Sequence, residues 1–374
     1  MFHLIITLTY LLPNIYLFFR IRNLFISKEY RLRYTIIYIL LAIIYPLSQP
    51  FAHSGPDNFG YLLRIIADYL LPFYLYVFLL ILLFDLFLLF NHFAHLVRKT
   101  TLRSYRFRTY ALTSIVVLSI LIVAGGIVNL NTIRVSRYQI NIPGKNSRLG
   151  HLRVVFVSDI HIEQDTRPHF IWQFIRKTKK LQPDLILYGG DIIERGSKSE
   201  KVNTIEKLLQ ELHPAYGSFG VLGNHEFYGE QQDGQFFREA GITLLNDTML
   251  KVDDSFYLAG RIDQHFRGRK HLADILGKQS LNLPVIMMDH RPTRLQEVSQ
   301  TPVDVQFSGH THNGQLFPIN LIMKSIYELP WGHKKIGHTH FFVSSGLRLW
   351  GPPVKTAGKS EIVVIDIHLD TSIK

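Results

Sequence analysis

The chain has 374 residues, and 41 lysines and arginines against 29 aspartates and glutamates give it a formal net charge of +12. The excess lies in residues 1–149, which hold 15 basic and 4 acidic side chains, whereas residues 150–374 hold 26 and 25. The basic charge therefore belongs to one part of the chain, and no nucleic-acid partner is expected from it. The chain has no cysteine, which excludes disulfides and metal sites made of thiolates.

The first 130 residues are dominated by Leu, Ile, Phe and Tyr. Four apolar stretches, at about 2–19, 34–51, 69–90 and 110–130, reach or approach the ~20 residues that a helix needs to cross a bilayer. They have no polar face that could meet water, which disfavours four buried helices of a soluble domain. The sequence therefore predicts an all-α transmembrane region with four helices over residues 1–130.

Basic residues occupy two of the three connections between these stretches. They are Arg20, Arg22, Lys28, Arg31 and Arg33 in the first connection, and Arg98, Lys99, Arg103, Arg106 and Arg108 in the third. The second connection, around 48–61, has no lysine or arginine. Because short loops rich in Lys and Arg stay in the cytoplasm, the sequence predicts an integral membrane protein whose residues after 130 lie on the extracytoplasmic side.

Residues 131–150 form a polar connector, and residues 151–370 have a different pattern. Eight or nine short apolar runs typical of buried strands alternate at first with helical segments near 168–181, 199–212 and 230–239. Later runs follow one another more closely. This order predicts an α/β domain, a four-layer α/β/β/α sandwich of two mixed sheets with helices outside, and about 220 residues are ample for one core.

Five of the apolar runs are followed at once by polar motifs. These motifs contain Asp159 and His161; Asp191; Asn224, His225 and Glu226; His290; and His310 and His312. Residues just beyond the strand ends of an α/β sheet converge along one rim. Asp, Asn and His suit borderline divalent cations, and two such ions can share one carboxylate. The sequence thus predicts a site for two divalent metal ions, with Mn, Fe or Zn favoured over Mg or Ca.

In this order the motifs resemble those of the calcineurin-like metallophosphoesterases, over about residues 152–368. The resemblance is closest to the membrane-anchored bacterial branch and to transmembrane proteins that carry a metallophosphoesterase domain, which implies a bacterial plasma membrane. It also implies a ligand set, with Asp159, His161 and His312 for one ion, Asn224, His290 and His310 for the other, and Asp191 bridging both.

The resemblance further implies the chemistry. A hydroxide shared by two cations is a nucleophile at neutral pH, and it attacks phosphorus while the ions and His225 stabilise the developing charge. Asp191 and His225 are therefore the expected catalytic residues. A phosphodiester or pyrophosphate is expected ahead of a soluble phosphomonoester, with a lipid or another cell-envelope component as substrate.

A second interpretation comes from a different class of protein. The spans would be the working part of a membrane transporter or receptor, and the metal-binding outer domain would be a binding module without catalysis. The complete ligand set favours the enzyme.

For three residues near the motifs, two interpretations stay open. Glu226 is either the partner of a ligand histidine, or a surface carboxylate or helix-start residue. Asn313 and Gln315 follow the last motif, and they either support the active site or substrate, or only shape the loop.

Four further polar residues are expected to have no metal role. Asp289 and Arg291 flank His290, and structural roles are favoured for both. His338 and His340 repeat the Gly-His-Thr-His pattern, but no further ligand is needed.

In the third apolar stretch, Asp85 is expected either to contact a lipid headgroup or to pair within the bundle.

Overall fold

The computed structural model describes residues 2–51, 59–194, 198–228, 234–277 and 280–370, with the side chains of residues 2–8 outside the description. The chain divides into two compact units. The first consists of Met1–Val128 with Gly351–Val354, and the second of Asn129–Trp350 with Lys355–Lys374.

The first unit is helical. Its helices, the last of which ends just inside the second unit, are α1 (Phe2–Leu24), α2 (Arg31–Ala42), α3 (Ile44–Ser48), α4 (Phe59–Ala94), α5 (Lys99–Arg103) and α6 (Tyr105–Leu130). Within the described residues, three segments are long and apolar enough to cross a membrane, namely Lys28–Phe51, Phe59–Ala94 and Tyr105–Leu130. They include the predicted spans at 34–51, 69–90 and 110–130. The predicted span at 2–19 lies in α1, and the count of four spans stays a prediction.

Helices α1 and α4 pack together around apolar side chains that include Leu17 and Ile81. Close to this contact, Arg20 Nε donates to Asp85 Oδ1 over 2.8 Å, and Tyr16 donates its hydroxyl to the same carboxylate. Charges among apolar helices are costly unless they are paired. Of the two roles expected for Asp85, the structure therefore shows pairing within the bundle.

The second unit contains two six-stranded mixed sheets. Its strands are β1 (Arg134–Pro143), β2 (His151–Val157), β3 (Leu185–Tyr188), β4 (Ser218–Gly220), β5 (Thr243–Leu244), β6 (Thr248–Val252), β7 (Phe256–Arg261), β8 (Val285–Asp289), β9 (Val305–Ser308), β10 (Gly332–Ile336), β11 (Thr339–Val343) and β12 (Glu361–Asp370). The strand orders are β1-β12-β2-β3-β4-β5 and β10-β11-β9-β8-β7-β6.

Helices cover the outer faces of these sheets. They are α7 (Pro168–Leu181), α8 (Glu200–Gln210), α9 (Gln235–Glu239), α10 (Leu272–Leu276) and α11 (Leu295–Val298). A further helix, α12 (Ile319–Ile326), has no buried residue. The predicted four-layer α/β fold is confirmed. Of the helix predicted near 230–239, residues 229–233 lie outside the described residues, and the rest is α9. Helix α12 and strand β10 have no counterpart in the sequence prediction.

The apolar core explains why the central strands are apolar throughout. On β2, Val154 and Phe156 pack between the two sheets, whereas Val155 and Val157 pack on the side of α7 and α8. A strand covered on both faces needs apolar side chains at every position. A third cluster packs α10 and α11 against the outer face of the second sheet.

Strand direction brings the polar motifs together. Strands β2, β3 and β4 run parallel in the first sheet, as do β7, β8 and β9 in the second. The five motifs follow the carboxyl ends of β2, β3, β4, β8 and β9. Each sheet therefore contributes part of one rim, as expected for ligand sites of α/β proteins.

Candidate metal centre

One group of potential ligands consists of Asp159, His161 and His312, whose ligand atoms lie within 4.8 Å of one another. The Nε2 atoms of His161 and His312 are 3.2 Å apart, and His312 Nε2 is 3.4 Å from Asp159 Oδ1. Two ligand atoms that each lie about 2.1 Å from a common ion are about 3.0 to 3.4 Å apart when the ligand–ion–ligand angle is between about 90° and the tetrahedral angle. The spacing of these atoms therefore fits one cation.

A second group consists of Asp191, His290 and His310, again with ligand atoms within 4.8 Å of one another. His290 Nε2 lies 3.1 Å from Asp191 Oδ2. Asp191 also belongs to a group with His161 and His225. It therefore lies between the two histidine sets, in the position that the bridging role requires.

The hydrogen bonds of two histidines leave the nitrogen nearest the cluster free. His161 Nδ1 is 2.6 Å from Glu194 Oε1, and His290 Nδ1 is 2.7 Å from the carbonyl oxygen of Gly189. Both oxygens accept, so each Nδ1 carries the proton and each Nε2 presents a lone pair. These tautomers suit metal ligands.

Asn224 has the orientation of an oxygen ligand. Its Nδ2 donates to the Tyr228 hydroxyl over 3.0 Å, which leaves Oδ1 on the other side of the amide. Among the described residues, buried Asn224 Oδ1 and His290 Nε2 have no hydrogen-bond partner. Buried polar atoms without a partner are costly, and a cation bound to them would offset that cost. The residues present therefore fit the two metal ions that the sequence predicts.

The backbone is left-handed at most of the proposed ligands. Positive φ angles occur at Asp159 (54°), His161 (49°), Asp191 (53°), His310 (69°) and His312 (49°). Such conformations are unfavourable for residues other than glycine and persist where the surroundings enforce them. Here Asp159 and His161 donate backbone N–H groups to the carbonyl oxygens of Gly190 and Asp191, each over 3.0 Å.

Gly309 allows the loop after β9 to lie directly against Asp159. A Cβ atom at this position would collide with the Asp159 carboxylate and the Ser158 hydroxyl. With glycine there, the next residue, His310, donates its backbone N–H to Asp159 Oδ1 over 3.0 Å. The close approach joins a loop of the second sheet to a proposed ligand of the first.

Glu194 is a functional candidate that the sequence analysis did not include. One of its carboxylate oxygens lies 2.6 Å from His161 Nδ1 and 2.8 Å from His225 Nδ1. Burial raises the pKa of Glu194, but the hydrogen bonds from the two histidines outweigh it and lower the pKa to about 2. Glu194 therefore stays charged. The sequence contained a clue to Glu194, because a carboxylate lies just beyond the Asp191 motif. A ligand histidine usually needs such an acceptor for its other ring nitrogen.

His225 is held beside the cluster. Burial lowers the pKa of His225, but Glu194 and Asp191 outweigh it and raise the pKa above its ordinary value. The His225 ring lies 5.9 Å from the Trp350 ring, centre to centre, and the Trp350 side chain is 51% exposed. A histidine that keeps its proton at the edge of a site can act as an acid.

Glu226 lies in the first turn of a short 3₁₀ helix, His225–Tyr228, which is one of the positions expected for it. Its carboxylate accepts the backbone N–H groups of Asp191 (3.0 Å), Ile192 (2.6 Å) and Gly223 (2.8 Å). Glu226 is buried, so it is not a surface carboxylate. It fastens the loop after β3 to the loop after β4, and Glu194 rather than Glu226 is the partner of a ligand histidine.

Asn313 and Gln315 shape the loop after His312. Asn313 is buried with a φ of 48°. The Gln315 carbonyl accepts the N–H groups of Thr356 (3.0 Å) and Ala357 (2.9 Å), and its amide donates to the carbonyl oxygen of Trp350 over 3.4 Å. Gln315 thus positions the chain around the exposed Trp350, and a direct substrate role for Asn313 or Gln315 stays a prediction.

The flanking residues have the expected structural contacts. Arg291 Nε donates to Asp263 over 2.7 Å, and Asp289 accepts from Arg269. His340 Nδ1 lies 3.0 Å from His333 Nε2 in a stacked pair, and His338 is exposed. Neither His338 nor His340 is in a group of potential metal ligands among the described residues.

These features define an α/β metallophosphoesterase fold with a cluster of potential metal ligands at the rim of its sheets. Residues 152–314 match the model of the family described as Calcineurin-like phosphoesterase. The chain carries a calcineurin-like metallophosphoesterase domain, as the sequence motifs indicated.

The chain is similar to proteins of bacteria and of a vertebrate. An uncharacterized metallophosphoesterase of Helicobacter pylori is 30% identical over 57% of this chain and 59% of its own length. The transmembrane protein with metallophosphoesterase domain of Danio rerio is 28% identical over 59% of this chain and 53% of its own. The UDP-2,3-diacylglucosamine pyrophosphatase LpxG of Chlamydia trachomatis is 25% identical over 50% of this chain and 71% of its own length. The chain thus spans just over half the length of the first two relatives.

Proposed function

We propose that the protein is a metal-dependent phosphohydrolase with a dinuclear metal site, acting on a phosphodiester, pyrophosphate or phosphomonoester of a membrane lipid or another envelope component. The proposal depends on the position of Asp191, which shares one group of potential ligands with His290 and His310 and another with His161, itself a member of the group with Asp159 and His312. Two ions that share a carboxylate can clamp a phosphate between them.

Each proposed ligand has a defined part. Asp159, His161 and His312 would hold one ion, and Asn224, His290 and His310 would hold the other. Asp191 would serve both ions, and its backbone N–H is fixed by the Glu226 carboxylate. The bound ions supply a nucleophile at neutral pH and neutralise phosphate charge.

His225, held by the Glu194 carboxylate, supplies the proton that a leaving oxygen requires. The Glu194 carboxylate fixes the His225 ring through Nδ1 and favours its protonated form. A protonated imidazole beside the phosphate both stabilises negative charge and gives its proton to the departing oxygen. Asp191 Oδ1 accepts the His225 backbone N–H over 2.8 Å, which ties this group to the metal site.

A lipid substrate is supported by the membrane part of the chain. Three helices within the described residues can cross a bilayer, and the name of the LpxG relative specifies a diacylated sugar joined through a pyrophosphate. In the predicted orientation the domain is outside the cytoplasm and would not meet a nucleotide-linked lipid. A diester or pyrophosphate in the headgroup of a membrane lipid is therefore the first choice, ahead of a soluble monoester.

The test uses the full chain in detergent, stripped of metal and supplied again with Mn, Zn, Fe or Mg. We expect metal-dependent hydrolysis of bis(p-nitrophenyl) phosphate that exceeds hydrolysis of p-nitrophenyl phosphate. Asp191→Ala should lower kcat/KM by at least about a thousandfold, because both ions lose a ligand. Asp254→Ala is the matched control, since Asp254 pairs with Lys251 at the surface.

Two results would contradict the proposal. Unchanged turnover in Asp191→Ala would show that the dinuclear site takes no part in the reaction. Wild-type protein that binds two ions and hydrolyses neither ester with any metal would favour a binding module attached to a membrane transporter or receptor.

A further inference from the structure

Helix α12 exposes an apolar face. The exposed fractions are 38% for Ile319, 52% for Leu321, 56% for Ile322 and 64% for Ile326, and no residue of the helix is buried. Ile319, Ile322 and Ile326 are spaced so that they share one side of the helix. Just before it, the Phe317 side chain is 50% exposed. Contiguous exposed apolar surface of this kind marks an interaction site.

This apolar face adjoins the candidate metal centre. The loop from His312 runs into the helix through Gly314, where a Cβ atom would come within 2.7 Å of the Asn320 Cα. At the other end, the ring of Tyr327 lies 6.4 Å from the ring of His310, centre to centre. Both ends of α12 are thus held against the loop that contains two proposed ligands, His310 and His312.

The end of the last candidate span is tied to segment 355–360. Asn129, in the last turn of α6, donates Nδ2 to the carbonyl oxygens of Lys355 (2.7 Å) and Gly358 (3.1 Å). Ser360 Oγ donates to the carbonyl oxygen of Leu130 over 2.6 Å. The point at which the chain leaves α6 is therefore fixed to this segment.

The same segment also holds the start of the apolar surface. Thr356 Oγ1 accepts the Phe317 backbone N–H over 2.9 Å, and the Thr356 and Ala357 N–H groups both donate to the Gln315 carbonyl. A short series of hydrogen bonds therefore joins the end of α6 to the residues that lead into α12. The apolar surface continues from the place where the chain leaves its last span.

The charge of α12 also suits a membrane surface. Lys324 is its only charged residue, so no carboxylate on the helix would be repelled by anionic headgroups. We infer that α12 and Phe317 dock into the headgroup region of the membrane that contains α6. If the proposed function holds, this contact delivers the phosphate of a membrane lipid to the metal site from the bilayer surface.

Position-specific labelling tests the docking without any measurement of activity. The chain has no cysteine, so Ile322→Cys gives one site for an environment-sensitive fluorophore in the full chain, placed in nanodiscs of phosphatidylethanolamine and phosphatidylglycerol. We expect blue-shifted emission and about twofold or greater quenching by lipids with a spin label near the headgroup. Lys207→Cys on exposed α8 is the control and should show neither effect.

Two outcomes of this labelling would overturn the inference. In one, the label at position 322 behaves as the label at position 207 does. In the other, labels at position 322 show distance-dependent coupling between two copies of the chain and no quenching by lipid, which would assign the surface to self-association.

A second measurement connects the surface to substrate delivery. The double variant Ile322→Asn with Ile326→Asn should lower kcat/KM about tenfold or more for hexadecyl p-nitrophenyl phosphate in nanodiscs. Its activity on water-soluble bis(p-nitrophenyl) phosphate should stay within about twofold of wild type. Equal losses on both esters, or no loss on either, would overturn substrate delivery by α12. Wild-type inactivity on both esters would count against the proposed function alone, and the labelling would still decide whether α12 docks.

Discussion

At the scale of single residues, one carboxylate connects metal binding with proton transfer. Glu194 accepts from His161, a proposed ligand, and from His225, the proposed acid. A single fixed negative charge therefore orients both rings and keeps the Nδ1 proton on each. Loss of that charge should affect the affinity for metal and the reaction together.

Glu194→Gln tests this connection. The amide keeps the shape of the side chain but removes the charge, so we expect kcat/KM for bis(p-nitrophenyl) phosphate to fall about 10- to 100-fold and metal affinity to fall as well. Steady-state kinetics and metal titration of the full chain measure both effects. Glu297→Gln is the control because the Glu297 side chain is 70% exposed. Unchanged kinetics and affinity in Glu194→Gln would show that the carboxylate only fills space.

At the scale of elements, the sequence predicted secondary structure best where apolar packing covers both faces of a strand or one face of a helix. The apolar run that precedes the Asp191 motif is β3, and the predicted helix at 168–181 coincides with α7. Periodicity is a reliable signal there because the core dictates every second residue of a strand and one stripe of a helix. Helix α12 was not predicted because its apolar side chains are exposed, so its pattern does not reflect packing inside the domain.

The sequence predicted which residues form the site, but not the contacts that hold these residues in place. The proposed ligands follow strand ends, which a linear pattern reveals. The left-handed backbone at Asp159 and His310 depends on contacts between loops from different sheets. The same holds for Glu194, whose two partners come from loops after β2 and β4. Such contacts join residues far apart in the chain, and no local pattern records them.

A substitution at Gly309 tests whether the site requires the close approach between the loop after β9 and Asp159. Gly309→Ala places a Cβ against Asp159 and Ser158, so we expect metal affinity to fall at least about tenfold and the unfolding free energy to fall by about 1–3 kcal/mol. Metal titration and urea unfolding of the full chain measure these effects. Gly150→Ala is the matched control, because a Cβ there has no heavy atom within 4 Å. If the two variants behaved alike, the close approach at Gly309 would have no importance for the site.

At the scale of the whole molecule, charge and hydrophobicity separate along the chain. Residues 1–149 carry nearly all of the excess positive charge, and residues 150–374 are almost neutral. Three candidate spans and the relatives named as transmembrane proteins fit a membrane protein. The side of the membrane on which the domain lies remains a prediction from the basic loops.

Impermeant labelling decides the orientation. In spheroplasts, Lys207→Cys should react with a membrane-impermeant maleimide, because the positive-inside rule puts the domain outside. Arg103→Cys, in the basic connection that contains α5, should react only after the membrane is permeabilised. The opposite pattern would mean that the domain faces the cytoplasm, and a nucleotide-linked lipid would then become an accessible substrate.

The order of strands in the first sheet has a consequence for how the domain is made. Strand β1 follows α6 directly, yet its neighbour is β12, which pairs with it from Arg134 and Glu361 to Pro143 and Asp370. Strand β12 also separates β1 from β2. During synthesis, β1 emerges first and has no partner in the sheet until β12 follows. A nascent or truncated chain that lacks β12 keeps open strand edges on β1 and β2, which favours aggregation or proteolysis. The folding of the first strand of the domain therefore depends on the synthesis of a strand more than 200 residues later.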